Sequence, residues 1–346
     1  MKAFIFIALL FSSFCAKAQL ANSAFWVNTA APVQVSNVIP ESSTAAGGST
    51  VTISGLGFLA GATASIGGNN CTTTTVVSST SIACVVPANS NIGLQNVKVV
   101  NTNATNGQLI SGFGYVGSPS LWLKADALAL ANNASVTSWT DSSGSGNTAT
   151  TLSGTKPVYQ TNVQNGKPTV VFSGAQYMDT TLASTSILKN TILAVHMPTV
   201  NGGVIVGANG CCSPHFILVN GMFGTAGTGY VVKNIANGQA VAGDITNTDI
   251  NSFSIAGGRF NSVYPAADTS TTIDAYMNAT HYTATFGASL GTDATNVEIG
   301  SRYQGSNYFT GDISEVLVYS SALSDTDLQS AQCYLAHKYG LAVTGC

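Results

Sequence analysis

Three groups of side chains in this 346-residue chain are of types that can do chemistry. The first is Asp141, Ser143 and Asn147, set among glycines in the loop Trp139-Thr-Asp-Ser-Ser-Gly-Ser-Gly-Asn147. Calcium takes six to eight oxygens from carboxylates, amides and backbone carbonyls, and such a loop supplies them. The string lacks the alternating Asp-x-Asp-x-Asp-Gly of an EF-hand, and Asp141 would serve equally as the side chain of an Asx turn. The second group is Arg302, Tyr303, Gln304, Asn307 and Tyr308. Tyrosine faces stack on sugar rings, and amide and guanidinium groups give directional hydrogen bonds to hydroxyls. Tyr230, Tyr264 and Tyr282, in or near other polar stretches, would extend the same platform.

The third group is the carboxylates. Glycoside cleavage needs two of them facing each other across the scissile bond, and the chain has only three glutamates, Glu41, Glu298 and Glu315. Glu298 and Glu315 fall on separate predicted strands. Asp312 and Glu315, three apart, fall on opposite faces of a regular strand. The four histidines, His196, His215, His281 and His337, sit in no nucleophile motif. The expectation is therefore a non-catalytic protein, with a glycoside hydrolase or polysaccharide lyase as the alternative.

The elements that must position these groups are strands. From Pro32 to Val116 apolar residues alternate with polar ones, as in Val35-Ser-Asn-Val38 and Val51-Thr-Ile53, and Gly and Pro mark the turns. Gly112 to Pro119 reads as a short semi-flexible joint. Beyond it come further short strands, among them Ile192–Val195, Gly203–Val206, His215–Val219, Phe253–Ile255, Ile273–Met277, Val297–Gly300 and Gly311–Tyr319, suited to two packed antiparallel sheets. The Asn/Thr/Ser-rich stretch 236–272 reads as long polar loops. Ser324 caps a final helix with acidic residues in its first turn, Leu328, Ala331, Leu335 and Tyr339 recur at helical spacing, and Gly340 ends it.

Composition and the N-terminus bound the class. Charged residues make up 7% of the chain, against about 25% in an average protein. Residues 1–18 read as a secretory signal: Met1-Lys2, an apolar run, then Ala16-Lys17-Ala18 before the cut at Gln19. Cys15 as a lipid attachment site is the alternative, disfavoured by bulky Phe14 before it. No later stretch is apolar enough to be a membrane helix. Without Lys2 and Lys17, nine basic residues face 14 acidic ones, a net charge of −5 with His neutral; with no basic stripe, nucleic acid is excluded as a partner. Six cysteines remain in an exported chain and read as disulfides. Spacing pairs Cys71 with Cys84 and Cys333 with Cys346, and leaves Cys211 and Cys212 as a vicinal bridge or as partners of other cysteines. Zinc is the competing use, without a CxxC pair or clustered His to support it.

The string Gly47-Gly-Ser-Thr-Val51-Thr-Ile53-Ser-Gly55-Leu-Gly57-Phe58 resembles the opening of the IPT/TIG immunoglobulin-like domains, over residues 32–116. Leu121-Trp122-Leu123-Lys124-Ala125-Asp126, the Trp139–Asn147 loop, Pro168–Gly174 and the closing strand, helix and Lys338-Tyr-Gly-Leu341 resemble the laminin-G-like modules of the concanavalin A-like jelly rolls, over residues 119–346. The resemblance implies an all-β chain: an immunoglobulin-like sandwich used as a spacer, then a jelly-roll sandwich with a short C-terminal helix. It also implies a binding role, toward an extracellular glycan or, as the alternative, a surface protein in adhesion, and calcium at a sheet edge as the one cofactor to test.

Overall fold

The computed structural model describes residues 32–346 outside positions 153, 188, 209–215, 221–227, 234–238, 244–249, 262–270, 287–295 and 303–305. Two all-β sandwiches follow one another. In the first, a four-stranded sheet in the order Gln34–Ile39, Thr50–Leu56, Ser81–Val85, Thr73–Ser78 packs on a five-stranded one. The alternation Val51, Ile53 against Ile82, Cys84 drives this: these side chains point inward with Val97, Val99, Phe113 and Tyr115, and the polar residues between them face water. The Cys71–Cys84 disulfide forms as expected.

Among the described residues, the second sandwich has two eight-stranded sheets. The closing strand Thr310–Tyr319 is central to one of them. Asn190–Pro198 pairs along its full length on one side; Lys167–Ser173 and Leu121–Lys124 share the other. That sheet continues through Ser254–Phe260, Thr271–Met277 and Thr280–Phe286. The second sheet runs Ser138–Trp139, Ala149–Thr150, Met178–Ala183, Asn296–Ile299, Val204–Ala208, Phe216–Asn220, Thr228–Lys233, Gln239–Gly243. Trp139, Phe172, Met178, Val206, Ile299 and Val316 fill the space between the sheets. The 236–272 stretch is thus not all loop: Gln239–Gly243 and Ser254–Phe260 lie within it, and their Gly and Ala content hides their strand character.

The first sheet is covered on its other face too. The helix Asp325–Tyr339, capped by Ser324 and ended by left-handed Gly340, lays Leu328, Ala331, Leu335 and Tyr339 on Leu193, Val195, Ile255 and Leu317. Cys333–Cys346 staples the tail back to it. Cys211 and Cys212 lie outside the described residues.

The expected flexible joint is instead packed. Val116 is fully buried and its carbonyl accepts from the Tyr319 hydroxyl at 2.6 Å, while Gly117 accepts from the Ala45 amide at 2.6 Å. The Tyr334 ring lies against Gly114, where any side chain would collide with it, and its hydroxyl oxygen lies 3.0 Å from Ser42 Oγ, from which it accepts because its own proton goes to Glu315. Glycine in the linker here makes room for close packing rather than freedom. The helix is the wedge that docks the two sandwiches.

Candidate functional site

Asp141 is committed to its own loop. Oδ1 accepts from the Trp122 and Ser143 amides, both at 2.9 Å; Oδ2 accepts from the Ser143 hydroxyl and the Asn147 amide, both at 2.8 Å. Asn147 donates to the Ser120 carbonyl at 2.8 Å. A carboxylate has about four acceptor positions, and the protein fills them. The arrangement ties the glycine-rich loop to the start of the Leu121–Lys124 strand. No group of three or more His, Cys, Asp or Glu is placed to hold a metal among the described residues.

Asp312 and Glu315 contradict the sequence expectation. An irregularity in pairing with Asn190–Pro198 slips the register, so that Met197 faces Asp312 and Val195 faces Glu315. The extra residue puts both carboxylates on the helix side of the sheet, because each residue inserted into a strand reverses the face of those that follow. Glu315 is fully buried. It accepts from Trp122 Nε1 at 2.7 Å, Lys338 Nζ at 2.8 Å, and the Tyr334 and Tyr339 hydroxyls at 3.0 Å each. Lys338 also reaches Asp126 at 3.0 Å. Burial works against the Lys338 ammonium, but Glu315 and the surrounding oxygens outweigh it and hold its pKa well above the ordinary lysine value. Burial alone pushes Asp312 up to about 6. This cluster fastens the helix and leaves Glu315 no access to a substrate.

The outer face of the second sheet is different: the segment from Gly300 to Phe309 folds back over part of it, and the glycine-rich loop meets it at Thr181. Arg302 and Ser306 pair across that hairpin, and Arg302 Nε donates to Asn307 Oδ1 at 2.7 Å. Gly207 makes the fold-back feasible, since a Cβ there would meet the Ser301 carbonyl at 2.9 Å and Arg302 Cβ at 3.3 Å. Asn307, with φ of 53°, turns the chain so that the Tyr308 ring comes within 6.5 Å of Tyr177. Of the residues expected to bind sugar, Arg302, Asn307 and Tyr308 are therefore brought together, while Tyr303 and Gln304 lie outside the described residues. Tyr264 and the Tyr230 side chain also lie outside them. Tyr282 packs at the edge of the inter-sheet core, away from this face.

Sequence reasoning missed Tyr177 and Asp179, and weighed Glu298 only against Glu315 rather than against Asp179. Asp179 and Glu298 are directly opposed on neighbouring strands, with Gly207 next in line. Opposed residues share a face, with backbones about 4.5–5.5 Å apart. Met178 and Ile299 point to the core, so their neighbours Tyr177, Asp179 and Glu298 point out. Glu298 is fully buried and accepts from Ser301 at 2.8 Å. Burial raises the Asp179 pKa, and burial followed by Glu298 and Asp179 raises that of Tyr177. The clue was alternation in Tyr177-Met-Asp-Thr, legible only once a partner strand was known. Of these side chains Asn307 is exposed and Arg302, Tyr308 and Asp179 are partly so, while Tyr177 and Glu298 lie buried beside them.

The chain is thus a pair of β-sandwiches in tandem, the second with polar and aromatic side chains gathered on the outer face of one sheet. Residues 32–112 match the IPT/TIG domain model and residues 215–329 match that of the concanavalin A-like lectin/glucanases superfamily; the chain is an IPT/TIG domain followed by a concanavalin A-like domain. Similar solved structures include domain 4 of AbnA, a GH43 extracellular arabinanase from Geobacillus stearothermophilus, in complex with arabinotriose. It is 14% identical, with a TM-score of 0.46, over 63% of this chain and 98% of that one. The SAP-like pentraxin of Limulus polyphemus is 13% identical, with a TM-score of 0.35, over 48% and 79%. The receptor binding domain of botulinum neurotoxin type G is 11% identical, with a TM-score of 0.41, over 64% and 51%. No curated protein matches the chain in sequence.

Proposed function

We propose that this is an exported, non-catalytic protein whose concanavalin A-like domain binds carbohydrate through the outer face of its second sheet, with the IPT/TIG domain as a rigid spacer. The observation that carries the reading is the convergence of Tyr177, Tyr308, Arg302 and Asn307 on that face. Aromatic planes with fixed hydrogen-bonding groups beside them are what a sugar ring needs. The matched superfamily description, which names lectins and glucanases, supports the same class of ligand. Two disulfides suit an oxidising, extracytoplasmic compartment, and no described helix is long and apolar enough to cross a membrane. The test is retention of the purified chain on a panel of polysaccharides, with calcium and then with chelator. Saturable retention in both conditions supports the reading; none in either refutes it.

A second reading, cleavage of the bound glycan, is favoured by one observation: Asp179 and Glu298 are opposed in register on the same face. Two carboxyl groups about 5–10 Å apart are the minimal machinery for glycoside hydrolysis. Reducing-end release by the wild type and its loss in Asp179→Asn would establish that reading; no release from any retained polysaccharide would dismiss it.

A further inference from the structure

A cleft of about 400 Å³ opens on the opposite side of the domain, between the Thr271–Met277 and Thr280–Phe286 hairpin and the C-terminal helix. That volume lies at the small end of ligand pockets, which span about 300–1,000 Å³. Its walls are prearranged. His281 lies flat on Tyr276, the ring centroids 4.7 Å apart and the planes 6° from parallel, and its Nε2 meets Asp274 at 2.7 Å. Arg259 bridges Asp274 at 2.9 Å and Asp325 at 2.6 Å. On the helix side stands Gln332, 2% exposed, whose amide nitrogen Nε2 is buried without a partner. A buried amide nitrogen left unpaired is costly, and native structures rarely keep one without a reason.

We infer that this cleft is a second binding site, for a neutral saccharide unit. The charge balance selects the class. Arg259 is neutralised by two carboxylates, so with His281 neutral the site carries a net negative charge and repels phosphate, sulfate and uronate groups. A ligand must instead supply hydrogen-bonding groups of both kinds. Because Asp274 accepts from Nε2, the neutral imidazole keeps Nδ1 as an acceptor for a ligand hydroxyl. The Gln332 amide, whose NH₂ is unpaired and can exchange places with its oxygen by a half-turn, takes a second hydroxyl or an N-acetyl group. The half-exposed imidazole, stiffened from behind by Tyr276, gives a plane for the C–H face of the ring. The ligand class rests on the carbohydrate reading above, but no residue is shared between the two sites.

The test uses the full chain and four neutral probes, the methyl glycosides of glucose, arabinose, mannose and N-acetylglucosamine, with glucuronate as the charged control. Titrations compare the wild type with Gln332→Met, His281→Ala and Tyr308→Ala. The expected result is saturable binding of at least one neutral probe and not of glucuronate, weakened about tenfold or more in Gln332→Met and His281→Ala. Gln332→Met keeps the shape and removes the unpaired amide nitrogen, so its melting temperature should rise while its binding falls, a combination a merely structural role does not produce. Binding unchanged in both cleft variants, or no saturable binding of any probe by the wild type, overturns the inference. Loss of binding only in Tyr308→Ala overturns the cleft and leaves the sheet-face site standing; loss only in the cleft variants does the converse.

Discussion

Replacing Lys338 with Met leaves Glu315 buried with three neutral donors, Trp122, Tyr334 and Tyr339, and no counter-charge. Glu315 is fully buried and Lys338 is 3% exposed, so water cannot substitute for the ammonium. Removing one partner of a buried ion pair costs about 3–5 kcal/mol. The three remaining donors put the expected loss at the low end, about 3 kcal/mol, with separation of Asp126 adding to it. For a domain of this size each kcal/mol moves the melting temperature by about 2–4 °C, so Lys338→Met should melt about 6–12 °C below the wild type. Glu315→Met strands the lysine instead and should be similarly destabilised. The double variant removes both charges and should be more stable than either single one, because an apolar pair of similar volume is often as good as a buried salt bridge. Thermal and urea unfolding of the four proteins form a double-mutant cycle. A Lys338→Met midpoint indistinguishable from the wild type, or a double variant with the summed losses, would refute the assignment of this cluster as the fastening of the helix.

Asp312 is held at a pKa of about 6 by burial, above the unfolded value. The native state therefore binds the extra proton between about pH 4 and 6, and stability contributed by the protonated form is lost as pH rises through that window, by about 3 kcal/mol in all. Asp312→Asn should abolish that slope and be more stable than the wild type at pH 7 in urea titrations. Cys333→Ser opens a bridge between residues 13 apart, for which chain entropy gives about 3 kcal/mol; a melting temperature unchanged from the wild type, measured without reductant, would contradict it. Asp141→Ala frees three backbone amides that now donate to a carboxylate, for a loss of about 3 kcal/mol. Since those amides occupy the positions a cation would need, chelator should leave the wild-type melting curve unmoved, and a chelator-dependent shift would show that the loop opens to take calcium.

Local pattern carried most of the fold. Ser324, the Leu328–Tyr339 spacing and Gly340 defined the helix, Trp122 and Trp139 are core residues, and the local disulfides formed where spacing put them. Three things were hidden, each for a physical reason. The slip beside Ser314 depends on which strand pairs with Thr310–Tyr319, so the shared face of Asp312 and Glu315 is a tertiary fact. The packed linker depends on a helix more than 200 residues away, whose Tyr334 reaches Ser42. The site was half legible: Arg302, Asn307 and Tyr308 lie close together in sequence, whereas Tyr177, Asp179 and Glu298 join them only through the register of the second sheet. His281 and Gln332 are ordinary as sequence and acquire meaning only from the cleft between them.

The central claim, that the outer face of the second sheet binds glycan, is tested most directly by calorimetric titration of wild type and Tyr308→Ala with a polysaccharide that retains the full chain. Tyr308 is only partly buried, so its loss should leave the melting temperature near that of the wild type. Stacking of one aromatic on a sugar contributes about 1 kcal/mol or more, so the account predicts affinity reduced about fivefold or more in a folded protein. Equal affinity in the two proteins would contradict it.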